Sequence, residues 1–299
     1  MLNDSNKVTA NNAVRVLVLG ATGMLGNAVF RLFGQSPSYH VFGTARSGSV
    51  LRLLPEHLHL QVTTGVDAAN FDQLTGLFAK VKPDIVINCV GLIKQLAESD
   101  DPLEAIPINS LLPHRLAQLC QVAGARLVHV STDCVFSGDK GMYVESDSAD
   151  CRDLYGRSKY LGEVDYPHAI TLRTSIIGHE LNSTRSLVGW FLSQTGCVTG
   201  FNRAIFSGLP TVEIARIIRD YVIPHPELHG LYHVSAEPIS KFKLLTLIAE
   251  EYDKKIEIKS DDKLMIDRSL NSTRFQLATG FKPKSWPKLI KVMREFERH

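Results

Sequence analysis

The chain's 299 residues are 44% hydrophobic and 21% charged, a composition that can offset the entropy of ordering and excludes a disordered or collagen-like protein. Its 33 lysines and arginines nearly cancel 31 acidic residues, so no net field draws it to a nucleic-acid backbone or an anionic bilayer. The longest apolar stretch, Ile85 to Ile93, is far short of the roughly 18 to 20 residues that cross hydrocarbon; neither nucleic acid nor membrane is an expected partner.

Residues Met1 to Ala13 are polar and lack the apolar core of a secretory signal; they read as a flexible lead-in, and the chain is expected in the cytoplasm. Val14 to Leu19 is a strand-like run, after which Leu25, Ala28, Val29, Leu32 and Phe33 recur at helical spacing until Gly34. Further strands are expected at Tyr39 to Thr44, Leu58 to Val62, Ile85 to Val90, Arg126 to Ser131 and Ala169 to Ile177. Their continuous apolar character marks strands buried on both faces. Alternation of strand and helix is the signature of βαβ units. After Gly178 it loosens into helices at Ser186 to Ser193 and Thr211 to Val222, a strand at Leu231 to Val234 and a helix at Ile239 to Tyr252. The expected fold class is α/β: a doubly wound parallel sheet (Rossmann) over residues 1–178. A smaller C-terminal substrate-binding lobe follows over 179–299, with some segments returning to the first domain.

Gly20-Ala21-Thr22-Gly23-Met24-Leu25-Gly26 stands between the first strand and the first helix. There, missing Cβ atoms let backbone N–H groups approach a dinucleotide pyrophosphate, and the helix start adds roughly half a positive charge. No Lys-Ser or Lys-Thr pair follows, so this is not a P-loop. Gly20, Thr22, Gly23, Met24 and Leu25 are the candidate contacts. The second strand ends at Arg46, where an NAD-binding chain carries an acid for the ribose hydroxyls. A guanidinium there suits the 2′-phosphate of NADP, a contact of about 1.5 to 3 kcal/mol. NADPH is the expected cofactor and NADH the alternative; the bland reading of Arg46 is a solvated surface charge. Asp67 either meets the adenine amino group or caps the next helix, and Gly91, after the fourth strand, completes the cofactor set.

The fifth strand runs into Ser131-Thr132-Asp133, and Tyr155 and Lys159 follow at i and i+4 on a helical stretch. Reducing a ketone by hydride transfer puts charge on its oxygen; a phenol can protonate that oxygen and a hydroxyl can stabilise it. An ammonium about 4 Å away is expected to acidify the phenol by roughly three pKa units. By itself the Tyr–Lys pair is often mere surface packing; the glycine loop and Thr132 give it meaning.

With these residues in place, the chain resembles the extended short-chain dehydrogenases and, among them, the dTDP-4-dehydrorhamnose reductases. The likeness covers roughly Val14 to Pro283. It is carried by Gly20 to Gly26, Ser131 to Gly138, Tyr155 to Lys159 with Leu161-Gly162-Glu163, Leu172 to Ser175, and the closing stretches Arg268 to Arg274 and Thr279 to Pro283. The resemblance implies Thr132, Tyr155 and Lys159 as a catalytic trio, with Lys159 also touching the nicotinamide ribose. It implies a nucleotide-sugar substrate contacted by Thr132, Cys134, Ser175, Arg203 and Arg268, the arginines toward its diphosphate. Cys134 stands where the family usually has tyrosine, and Ile176 and Ile177 where it has an aromatic pair. The implied activity is NADPH-dependent reduction of the 4-keto group of a nucleotide-linked 6-deoxyhexose, in cell-surface polysaccharide precursor synthesis. A homodimer is left open.

Eleven histidines without H-E-x-x-H or a carboxylate cluster give no metal site, and there is no G-x-S-x-G elbow. His129 is expected to be a satisfied core residue. Five cysteines, odd in number and without C-x-x-C, are expected to be reduced thiols. Two rivals use the same nucleotide fold. One is an epimerase or dehydratase that retains NAD, against which Arg46 speaks; the other is a non-catalytic NADP-binding regulatory subunit, against which the intact trio speaks.

Overall fold

A computed structural model describes residues 13–94 and 97–297; the lead-in over residues 1–12 lies outside the described residues. The first half alternates as β1 (Val14–Leu19), α1 (Met24–Gly34), β2 (Tyr39–Ala45), β3 (Val62–Thr64), α2 (Phe71–Val81) and β4 (Ile85–Asn88). Then come α3 (Pro102–Ala105), α4 (Leu112–Ala123), β5 (Arg126–Thr132), α5 (Leu154–Leu161) and β6 (Ala169–Thr174). The second half is built of β7 (Ile176–Ile177), α6 (Leu187–Ser193), β8 (Cys197–Phe201), β9 (Ala204–Phe206), β10 (Leu209–Pro210), α7 (Thr211–Ile217) and β11 (Gly230–His233). It closes with β12 (Ile239–Ser240), α8 (Lys241–Glu251), β13 (Glu257–Asp261), β14 (Ile266–Asp267), α9 (Thr273–Thr279) and α10 (Trp286–Glu297).

Seven strands form one sheet in the order β11-β6-β5-β4-β1-β2-β3, and every pair in it is parallel. The uninterrupted apolar run of β1 follows from this placement. Val16 and Val18 pack into a core with Val29, Phe30 and Phe33 of α1, while Leu17 and Leu19 face Leu74 and Phe78 of α2 and Leu116 of α4. Phe30 and Phe33 are wholly buried, each worth about 1.5 to 3 kcal/mol. The chain winds one way from β1 through β2 to β3 and the other way from β4 through β6. This leaves a crevice at the carboxyl ends of β1 and β4, the place where such sheets bind ligands.

Two strands differ from the sequence reading. Residues 56–61 form a 3-10 turn, and β3 starts only at Val62, because Leu58 is buried while Leu60 is fully exposed; the run is not buried on two faces. The Ala169 to Ile177 run breaks at Ser175: β6 stays in the main sheet, and β7 leaves it to pair with β10. β11, from the second half, extends the main sheet beyond β6. The other late strands form two small sheets, β8 with β13 and β9 between β12 and β14. Among the described residues no helix is long and apolar enough to cross a membrane, and all five cysteines are free thiols.

Candidate active site

The turn from β1 into α1 is held by backbone. Gly20 lies at φ +79°, a region that glycine enters freely, and its N–H donates to Thr44 Oγ1 at 3.0 Å. Ala21 N–H donates to Thr44 O at 3.0 Å. A Cβ on Gly26 would overlap the Gly20 carbonyl oxygen, so only glycine lets α1 begin this close to the strand. Gly23 is the N-cap and supplies no side-chain cap, which leaves the positive end of α1 uncapped over the crevice. These features fit a dinucleotide pyrophosphate. Thr22, Gly23 and Met24 are accessible there, whereas the Leu25 side chain is in the core; Leu25 offers its amide alone.

Arg46 is exposed just past β2, beside a turn in which Ser47 Oγ and Ser49 Oγ are 2.8 Å apart. That position suits a phosphate on the adenosine ribose. Asp67 does not cap α2. Its Oδ1 accepts from Ala69 N–H at 3.0 Å, and the cap is Asn70, whose Oδ1 accepts from Gln73 N–H at 3.1 Å. Gly91 backs onto Lys159: a Cβ there would stand 3.8 Å from Lys159 Nζ.

Thr132 ends β5, and its Oγ1 accepts from Cys134 N–H at 3.1 Å and donates to Asp133 Oδ1 at 3.3 Å. Asp153 caps α5 by accepting from Gly156 N–H at 2.8 Å, and its other oxygen takes Lys94 Nζ at 2.8 Å. Gly156 has no room for a Cβ against the Cys134 carbonyl; this close seat of α5 on the Thr132–Cys134 turn brings Tyr155 to Thr132. Lys159, 6% exposed, donates to Val130 O at 2.9 Å.

The expected acidification of the phenol is not seen. Burial pushes Tyr155 up, and the nearby Cys134 adds to that, while a hydrogen bond with Thr132 pulls the other way. Burial brings Lys159 down to about 8, against the opposing attraction of Glu163. A phenol held up in this way stays protonated at neutral pH, which suits a proton donor better than a base.

Three groups near the trio were not singled out in the sequence. Asn109 is buried in a π-helical turn before α4; its Oδ1 accepts from Leu92 N–H at 3.0 Å and its Nδ2 donates to Ser158 Oγ at 3.1 Å. A polar Asn-Ser pair inside the apolar run 106–112 was its one sequence signal. Asp133 is buried, its carboxyl pushed up by burial and drawn down by Arg268, Cys134, Ser175 and Thr132. Lys94 bridges to the α5 cap, as given above. His129 corrects an expectation: it is wholly buried and meets Asn88 Nδ2 at 3.2 Å, but its Nε2 has no partner among the described residues.

Of the residues expected to contact substrate, Cys134, Ser175 and Arg268 gather around Asp133. Arg268 Nε donates to Phe136 O at 2.7 Å and its Nη1 reaches Cys134 Sγ at 3.9 Å. Burial pushes the Cys134 thiol up to about 12, so it is no nucleophile at neutral pH. Arg203 does not join this cluster: it is exposed on the turn between β8 and β9, and its side chain makes no hydrogen bond or ion pair among the described residues.

The family model described as the RmlD substrate binding domain matches residues 14–294. The chain belongs to this family. Among its relatives is a dTDP-4-dehydrorhamnose reductase from Aggregatibacter actinomycetemcomitans, 25% identical over 313 residues that cover 94% of this chain and 99% of the relative. Methionine adenosyltransferase 2 subunit beta from Xenopus tropicalis is 27% identical over 260 residues, 80% of this chain and 72% of that protein. The fold matches a crystal structure of a Bacillus anthracis dTDP-4-dehydrorhamnose reductase in complex with NADP. The TM-score is 0.77 at 21% identity, covering 95% of this chain and 99% of that one.

Proposed function

We propose that this RmlD-family protein is an NADPH-dependent reductase of the 4-keto group of a nucleotide-linked 6-deoxyhexose. In this reading it works in the cytoplasm, supplies cell-surface polysaccharide precursors, and takes NADH as its alternative cofactor. One observation carries the reading: Thr132, Tyr155 and Lys159 converge at the carboxyl end of β5, with only β4 between that strand and β1, which runs into the uncapped glycine turn. Gly20, Thr22, Gly23, Met24 and the Leu25 amide would hold the pyrophosphate, Arg46 the 2′-phosphate, Asp67 the adenine amino group, and Gly91, Tyr155 and Lys159 the nicotinamide side. Bound there, a reduced nicotinamide would supply a hydride to the ketone carbon. Tyr155 gives its proton to the ketone oxygen, Thr132 holds that oxygen, and the Lys159 ammonium stabilises the phenolate left behind. Arg268, with Nη2 free of its Phe136 and Cys134 contacts, and the exposed Arg203 would meet the diphosphate.

Residues 1–178 would bind the cofactor and residues 179–299 mainly the sugar nucleotide, in a protein that would also form a homodimer. Purified protein should consume NADPH when given a dTDP- or UDP-linked 4-keto-6-deoxyhexose. No consumption with any such sugar overturns the reading. A scattering mass of one chain rules out the dimer.

The likeness to a named adenosyltransferase subunit favours a second reading, a non-catalytic NADP-binding subunit. A stable complex with an adenosyltransferase, together with no ketosugar turnover, would select it.

A further inference from the structure

Behind the trio lies a buried chain of charges that the reductase reading does not use. Glu163 follows the end of α5, one helical turn beyond Lys159. Its Oε1 accepts from Ser131 Oγ at 2.7 Å and from Arg173 Nε at 2.8 Å, and its Oε2 pairs with Arg173 Nη2 at 2.5 Å. The Glu163 side chain is 9% exposed and that of Arg173 2%. Arg173 Nη1 donates to His233 Nε2 at 2.9 Å, and His233 Nδ1 donates to Tyr143 O at 3.0 Å. The partners fix that tautomer, since a guanidinium can only donate and a carbonyl only accept, and burial and the Arg173 charge bring His233 down to about 3 and keep it neutral. The guanidinium also lies 4.9 Å from the centre of the Phe136 ring, and Glu145 Oε1 accepts from His233 N–H at 2.8 Å.

We propose that Glu163 is a positioning residue of the reductase site. Its carboxylate fixes the Ser131–Thr132 strand end against the lysine-bearing helix, and Arg173 with His233 carries that hold to the Phe136–Glu145 loop beside Cys134. Three observations converge on this role. Ser131 immediately precedes Thr132, so its bond to Glu163 anchors the strand end that carries Thr132. Arg173 sits two residues before Ser175 and against Phe136, whose carbonyl holds Arg268. The charge on Glu163 is also felt at Lys159. A buried ion pair of this kind adds little stability over an apolar pair, while removing one partner is costly; a role in arrangement explains why both charges are kept.

The groups facing Lys159 are Cys89 just past β4, His129 from β5, and Glu163 just past the end of α5. Burial raises Cys89 to about 12 and holds His129 well below its ordinary value. Both are therefore neutral near pH 8, and Glu163 is the fixed negative charge at the ammonium.

The role rests on the reductase reading, and the experiment separates the two. Glu163→Gln keeps the shape and removes the charge, and Ser131→Ala removes only the hydroxyl bond. The double variant Glu163→Leu with Arg173→Met removes both charges should the single variant fail to fold. For each, kcat and KM are measured across pH with the ketosugar. The Lys159 titration is followed separately without substrate, through its Cε resonance in carbon-13-lysine protein.

Loss of the Glu163 charge should move both the alkaline limb and the Lys159 midpoint toward acid by roughly one pH unit. It should lower kcat roughly ten- to a hundredfold, with KM for NADPH nearly unchanged. Ser131→Ala should lower kcat a few-fold and leave the midpoint in place. Folded charge variants with an unmoved midpoint and the kcat of the parent overturn the proposal. If the parent itself turns over no ketosugar, the reductase reading falls, and the midpoint alone still decides whether Glu163 governs Lys159.

Discussion

The proposed cofactor turn after β1 and the proposed proton-transfer site after β5 have only β4 between them on one sheet and are built from opposite materials. The turn is backbone: a glycine at positive φ, a glycine with no room for a Cβ, and a helix end without a cap. The proposed proton-transfer site is side chain: a buried lysine, a buried carboxyl against Thr132, and a carboxylate and guanidinium behind. The first tolerates almost no change in shape, because peptide groups cannot move aside. The second tolerates shape but not charge, because an uncompensated buried ion has nowhere to find water.

Substitutions can break that contrast or sharpen it. Tyr155→Phe keeps the ring and removes the proton. It should cost at least roughly a hundredfold in turnover while leaving NADPH binding and the melting temperature near those of the parent; a loss of cofactor affinity as large as the loss of rate would break the contrast. Arg46→Ala should weaken NADPH binding about ten- to a hundredfold and leave NADH binding unchanged, as read by fluorescence titration with both cofactors. Equal losses for the two would return Arg46 to a solvated surface charge. Gly26→Ala should do what Tyr155→Phe does not, lowering stability by about 1 to 3 kcal/mol and cofactor affinity together, measured by urea unfolding with and without NADPH.

The smallest effect is a matter of sign. Lys159 titrates near 8 when folded, below its ordinary 10.5. Between those values the unfolded chain binds more protons at this site, so this group's contribution to stability rises with pH. Over the same interval kcat/KM should fall, as the ammonium needed beside the phenol is lost. Urea midpoints of the parent and Lys159→Met, compared from pH 7 to 10, should move in the parent's favour as pH rises.

The same contrast governs what could be read from the sequence. β1 and the glycine turn were legible because their geometry depends on local chain identity: an apolar run, then glycines at fixed spacing. The break at Ser175 was not, since Ile176 and Ile177 continue the apolar pattern and only pairing with Leu209 and Pro210 draws them off the sheet. Leu58 misled in the same way, its burial coming from a 3-10 turn rather than a strand. Tyr155 and Lys159 were legible as a pair four residues apart, but the electrostatic effect of one on the other was not. It depends on how deeply each is buried and on Val130 O taking the ammonium. Glu163 and Arg173 lie only ten residues apart, but His233 stands sixty residues further on, and nothing in the sequence announces that the three meet.

β11 gives the molecule a property of a different kind. It contributes the outermost parallel strand beside β6, and His233 on it accepts from Arg173. Severing the polypeptide after Gly178 would strip β6 to a bare apolar rim, ready to recruit another molecule's strand, and would remove one of that guanidinium's acceptors. The sheet begun by the first half is therefore finished only by a strand from the second.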